Sequence, residues 1–187
     1  MILAQWRARR ASKTLIEQIR DEIVAAARRP ELYEALAAPD RMDGRFELLT
    51  LHAGLVLRRL AALGGVADAI AQDLVDSLFT HFDDTLREMG FSDVGVAKRL
   101  KTMGSAFYGR NAAYAAALDD SSHAELATAL ARNVYGATGS EAGPKAEALA
   151  DYIVSLDAAL TAIPIEHFTA GRFHFPLGSI AARVSHD

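Results

Sequence analysis

Arg45-Phe46-Glu47-Leu48-Leu49-Thr50-Leu51-His52-Ala53-Gly54-Leu55-Val56-Leu57-Arg58-Arg59-Leu60 is the stretch that decides the fold. Wound as a helix over about 45–63, it is apolar nearly all round, through Phe46, Leu48, Leu49, Leu51, Leu55, Val56, Leu57 and Leu60. Such a helix needs neighbours on every side, so the pattern predicts a central helix covered by others. Gly64-Gly65 stops it. Ahead of it, Pro39-Asp40 to Asp43-Gly44 reads as a turn, with Asp43 expected to cap the helix.

The covering helices are legible on both sides. Upstream, Ser12 is placed to cap a helix over roughly 13–28 that carries Leu15, Ile16, Ile19, Ile23 and Val24 on one side, and Pro30 ends it. A short piece around Leu32, Tyr33 and Leu36 follows. Downstream, a helix over about 66–89 has the stripe Val66, Ile70, Leu74, Leu78, Phe82, Leu86 and Met89, closed by Gly90. Ser92 and Asp93 open the next, about 93–118, with Val96, Leu100, Met103, Phe107, Tyr114 and Leu118 in line. Ser122 with Glu125 forms a capping box for a helix through Val134, and Pro144 starts another that turns Leu149, Tyr152, Ile153, Leu156 and Leu160 inward. After Pro164 the periodicity is lost, and Phe168, Phe173 and Phe175 mark an arm laid over the body. The expected fold is all-α: a single compact bundle of about six helices with a non-helical aromatic C-terminal arm. Along the chain this gives a basic N-terminal helix or extension (1–30), a helical domain (31–163) and the arm (164–187).

Composition narrows the chemistry. The 187 residues are 51% apolar, enough to bury a substantial core, and include no cysteine. That excludes disulfides, thiolate nucleophiles, iron–sulfur clusters and cysteine-bound zinc, and fits a reducing compartment. The net charge is −4, yet residues 1–30 carry seven basic against three acidic side chains. The head is therefore +4 and the remainder −8. A basic head on an acidic body suits contact with phosphate, although solvated helix faces explain it as well. No apolar run reaches the roughly 20 residues of a membrane span, and the opening Met1 to Trp6 is too short for a secretory core. The expectation is a cytoplasmic protein, with Trp6, Arg7, Arg9 and Arg10 as candidates for a peripheral contact with an anionic membrane on the cytoplasmic face of the inner membrane. No DNA-binding pattern is present.

Three constellations compete for chemistry. His81-Phe82-Asp83-Asp84-Thr85-Leu86-Arg87-Glu88 pairs aspartates on a helix, with Glu88 one turn beyond Asp84. Such carboxylates hold Mg²⁺ in helical diphosphate or prenyl enzymes, but those enzymes need a second cluster across a cavity, and none occurs. An ordinary solvated or ion-paired face accounts for the run. His52, alone on an apolar helix, reads as a hydrogen-bonded core residue; a haem carrier using His52 or His81 is the sharper alternative, and no cofactor is expected. The segment Met103 to Arg110 places Gly104 and Gly109 inside a helix, at roughly 1 kcal/mol each, so a close backbone approach or a break is expected there. Arg110 falls near the edge of the apolar stripe and wants a carboxylate. Asp83, Asp84 and Glu88 on the preceding helix are the expected partners, in a cluster joined by Arg87 or Arg45.

The succession of short motifs is similar to a known family. Asp43-Gly44-Arg45-Phe46-Glu47-Leu48-Leu49, Leu51-His52 and Leu57-Arg58-Arg59-Leu60 resemble the opening motif of the ubiquinol-cytochrome c chaperones. So do Phe82-Asp83-Asp84, Leu86-Arg87-Glu88-Met89-Gly90, Asp93, Val96, Lys98-Arg99, Met103, Phe107-Tyr108-Gly109-Arg110, Tyr114 and Ala117-Leu118, in order and spacing, over about 32–118. The resemblance implies an all-helical, non-enzymatic assembly chaperone. It would bind newly made cytochrome b, promote assembly of the bc1 complex, and contact the ribosome near the tunnel exit. A client of apolar helices needs an apolar groove with charge beside it. Arg45, Phe46, Leu49, Phe79, Lys98, Lys101, Phe107, Tyr108 and Arg110 are the candidate contacts.

Overall fold

The apolar helix, α3 (Met42–Leu63), lies at the centre of a computed structural model that describes residues 2–137 and 143–176, with side chains from residue 11 onward. Around it pack α1 (Ile2–Ala27), α4 (Val66–Glu88), α5 (Asp93–Asp119) and α7 (Pro144–Thr161), while α6 (His123–Asn133) joins α5 to α7. Two five-residue helices, α2 (Pro30–Glu34) and α8 (Ile165–Thr169), complete the all-helical set among the described residues. Leu48, Leu51, Leu55, Val56 and Leu60 of α3 are all buried, because each side of the helix meets a neighbour. Burying one such side chain contributes about 1.5–3 kcal/mol, so α3 anchors the core.

Several boundaries differ from the sequence reading, each for a local reason. The first helix begins at Ile2 rather than after Ser12, so Ser12 lies inside it and caps nothing. The backbone of 2–10 is helical, but the side chains of Trp6, Arg7, Arg9 and Arg10 lie outside the described residues. α3 starts at Met42 with Arg41 before it and no side-chain cap; Asp43 sits in the first turn, where its charge favours the helix N-terminus without capping it. Gly44 is needed there, since a Cβ would lie 2.0 Å from the Pro39 carbonyl oxygen. Ser92 and Ser122 do cap, their hydroxyls accepting from the Gly95 and Glu125 amides. Gly64 and Gly65 both take positive φ and reverse the chain.

The stripe of α4 is buried from Ile70 to Leu86, but its ends emerge: Val66 is 61% and Met89 53% exposed. α5 is continuous through Gly104 and Gly109, with neither the close approach nor the break expected at them. A Cβ on Gly104 would rest in ordinary contact with Phe79, and one on Gly109 would meet nothing. The tight approach is elsewhere: a Cβ on Gly54 would lie 2.0 Å from Asn111 Oδ1, so α3 and α5 draw together at that glycine. The C-terminal arm is aromatic and buried, and it opens with the short helix α8 rather than being non-helical throughout. Phe168, Phe173 and Phe175 are all within the core, and Glu22 of α1 pins the arm by accepting from the Phe175 amide at 2.9 Å.

Candidate functional site

Phe46 stands half-buried near the start of α3 and divides two hollows. On the α5 side is a groove of about 700 Å³, floored by Met42, Phe46, Met103 and Ala106. Phe91, Lys98, Arg99 and Arg110 border it, and Arg99 lies 4.2 Å above the Phe91 ring. On the other side a cavity of about 340 Å³ opens between α1, α3 and α4. The groove combines an apolar floor with a charged edge in which Lys98, Arg99 and Arg110 stand against Asp43 and Glu47.

Its inner wall holds a buried ion pair. Arg110 Nη2 donates to Glu47 Oε1 at 2.7 Å, joining α5 to α3. This corrects the expected partnership with Asp83, Asp84 and Glu88: the acid that Arg110 meets belongs to the central helix, not to the helix before it. Burial pushes the Glu47 carboxyl up to about 7, against the pull of Arg110 and with Asp43 adding repulsion. Glu47 Oε2, Thr50 Oγ1, Arg110 Nε and both amide atoms of Asn111 are buried with no protein partner. The seam between α3 and α5 is thus polar and incompletely paired, a condition that costs about 1–3 kcal/mol per orphaned group.

The acidic run on α4 has another use. Asp83 accepts from Arg87 within the helix, and Arg87 also reaches Asp93 at the start of α5, so the α4–α5 link expected of Arg110 is made by Arg87. Arg45 pairs with Asp40 at 2.7 Å and takes no part in it. Asp84 and Glu88 are exposed, and none of the three carboxylates lines either hollow beside Phe46. Among the described residues no three His, Cys, Asp or Glu side chains converge as a metal-holding group.

His52 is fully buried. Its Nδ1–H donates to the Leu48 carbonyl at 2.7 Å and its Nε2 accepts from the Tyr152 hydroxyl at 3.1 Å. Both nitrogens are occupied, which leaves none for iron, and burial lowers its pKa to about 4 so that the ring stays neutral. His81 is half-buried at the edge of the smaller cavity, its pKa lowered by burial and by nearby Arg28 and Arg20.

Of the sequence-predicted contacts, the structure brings Phe46, Lys98 and Arg110 to the groove, while Arg45 and Leu49 line the smaller cavity. Phe79, Phe107 and Tyr108 form an aromatic ladder with Phe82 and Phe46, each ring 5.4–6.3 Å from the next. Phe107 is buried in it, which removes that side chain as a surface contact, whereas Tyr108 is 59% exposed. Lys101 is exposed but borders neither hollow. Sequence reasoning missed Glu47, Met42, Phe91, Arg99 and Asn133. The available signal for Glu47 was an acid set beyond the first turn of a helix that is apolar nearly all round.

The family model described as Ubiquinol-cytochrome C chaperone matches residues 34–175. The chain belongs to the ubiquinol-cytochrome c chaperone family. The chaperone is also similar to the crystal structure of the Cbp3 homolog from Brucella abortus, with a TM-score of 0.80 and 36% identity over 94% of this chain and 97% of that one. No curated protein sequence matches it. The family match runs well past residue 118, where the motif resemblance ends, and takes in α6, α7 and the arm through Phe175. Both hollows lie within it except at Val24, Ala27 and Arg28 of α1. No helix among the described residues is long and apolar enough to cross a membrane.

Proposed function

We propose that this chaperone holds newly made cytochrome b, without catalysis, until it is incorporated into the bc1 complex, and that the client lies in the groove between α3 and α5. The observation that carries the reading is the groove itself: an apolar floor of Met42, Phe46 and Met103 beside Lys98, Arg99 and Arg110. An apolar helix laid there buries its side chains against the floor, while its polar flanks and loops meet the cations. Methionine suits such a floor because its unbranched, polarizable side chain adapts to an irregular partner. A volume of about 700 Å³ accommodates several side chains of a helix but not a whole helix, so the fit is by one face. The family membership supports a client of this class, and the apolar floor with its cations supports this face as its seat.

Site-specific photo-crosslinkers at Phe46, Lys98 and Met103 test this during client synthesis. Adducts with cytochrome b from these three positions, and none from Asp151 on the outer face of α7, are expected. Client adducts from Asp151 with none from the groove would overturn the assignment of the face. A deletion strain with normal bc1 cytochrome b would overturn the function.

A further inference from the structure

The smaller hollow has a chemistry that client holding does not use. Leu49, Phe82, Leu86 and Met103 line its interior, and Arg28, Arg41 and Arg45 stand among its lining residues with His81. Asp40 is its one acidic lining residue, and Arg45 occupies it at 2.7 Å. Arg28 and Arg41 form no ion pair among the described residues, and both are exposed. A largely apolar hollow bordered by unneutralised guanidiniums calls for a ligand that is greasy at one end and anionic at the other. Each half alone is ordinary: apolar hollows occur in many cores, and arginines cover many surfaces. Their coincidence around one opening is what selects the ligand class.

We propose that this cavity binds one acyl chain of an anionic lipid, with the chain among Leu49, Phe82, Leu86 and Met103 and the headgroup at Arg28 and Arg41. The volume of about 340 Å³ lies at the lower end of the roughly 300–1,000 Å³ usual for small-molecule sites, which fits a single chain rather than a pair. Arginine is the suitable headgroup ligand because its planar donors match phosphate and carboxylate oxygens in pairs. Burial of each methylene contributes about 0.8 kcal/mol, so the chain supplies the affinity and the arginines the selection for charge. The site shares Met42, Phe46 and Met103 with the client groove. A bound chain would therefore stiffen the wall on which the client rests. The lipid site does not depend on cytochrome b being that client.

Calorimetric titration of the full chain tests it, using monomeric lysophosphatidylglycerol with a lauroyl chain, its phosphatidylcholine analogue, laurate and dodecanol. Saturable binding of one lysophosphatidylglycerol per chain is expected, about tenfold tighter than the phosphatidylcholine analogue. The double variant Arg28→Gln/Arg41→Gln should abolish that tenfold preference and leave dodecanol binding unchanged. Leu86→Trp, which fills the interior, should remove binding of all four, with a thermal melt reporting whether that variant folds. If it does not fold, competition between dodecanol and lysophosphatidylglycerol on the native chain locates the acyl site instead. Tight laurate binding with weak lysophosphatidylglycerol binding would overturn a lipid in favour of a free fatty acid. Equal affinity for the anionic and zwitterionic lipids, or no saturable binding, would overturn the proposal altogether.

Discussion

His52 and Glu47 are buried polar residues five positions apart on the same helix, and their surroundings are opposite. His52 faces α7 and the C-terminal arm, where the Leu48 carbonyl, the Tyr152 hydroxyl and the Phe175 ring complete its environment. Glu47 faces α5, where Arg110 takes one carboxylate oxygen and the other is left without a protein partner, beside orphaned atoms of Thr50, Arg110 and Asn111. One seam of α3 is closed and satisfied, the other polar and incompletely paired. A satisfied network rigidifies, whereas orphaned groups regain hydrogen bonds to water when their seam opens, which offsets part of the cost of opening. The groove sits on the second seam. The contrast assigns permanence to the α3–α7 contact and adaptability to the α3–α5 contact.

Breaking the ion pair should give the largest effect. Arg110→Met leaves a buried carboxyl without its counter-charge, and a loss of roughly 3 kcal/mol at pH 8 is expected from denaturant melts. The sign with pH follows from Glu47. Its folded pKa of about 7 stands above the ordinary 4.5, so the folded chain takes up its proton more readily, and the burial penalty grows as pH rises from about 4.5 through about 7. At pH 5 the carboxyl is mostly protonated, and the same variant should lose much less. An equal loss at both pH values would mean that Glu47 is not the group Arg110 serves. His52 titrates the opposite way. Its folded pKa of about 4 lies below 6.5, so its stabilisation is complete above 6.5 and lost as pH falls towards 4, and the two seams partly mask each other in the unaltered chain. The comparison must therefore be made variant against wild type.

Tyr152→Phe sharpens the contrast from the other side. Removing the hydroxyl leaves His52 Nε2 without a donor, and about 1–2 kcal/mol should be lost at pH 8 with client crosslinking from Phe46 unchanged. A loss of client crosslinking in this variant would erase the distinction between the two seams. The smallest effect is expected at Gly109, whose Cβ position is open. Gly109→Ala should stabilise the chain by about 0.5–1 kcal/mol in a thermal melt and leave client capture unaltered. Lost capture with gained stability would place a partner against the outer surface of α5.

Much of the architecture was legible because a helix writes its neighbours into its own spacing. Ile70, Leu74, Leu78, Phe82 and Leu86 recur at helical intervals and are buried together, and Ser92 and Ser122 cap the helices they were read to cap. What failed was everything that depended on which helix lies across from which. Arg110 is legible as a cation near the core, but the acid-rich run of α4 that its sequence neighbourhood offers is already engaged, with Asp83 serving Arg87. Glu47 is nearer in space though 63 positions away in sequence. Gly104 and Gly109 drew attention by their cost, while Gly54, where the helices do touch, sits in an apolar run that gives no warning.

The amino-acid order alone determined the all-helical class, the central place of α3 and the family. Each follows from local propensity, apolar period or motif order, which act within a few turns of chain. Only the tertiary structure decided that Arg110 meets Glu47, that Phe107 is buried while Tyr108 is exposed, and that Phe46 separates a groove from a cavity. Those outcomes depend on the relative rotation and closeness of helices far apart in the chain, set by the packing of the whole core, and no single segment encodes them.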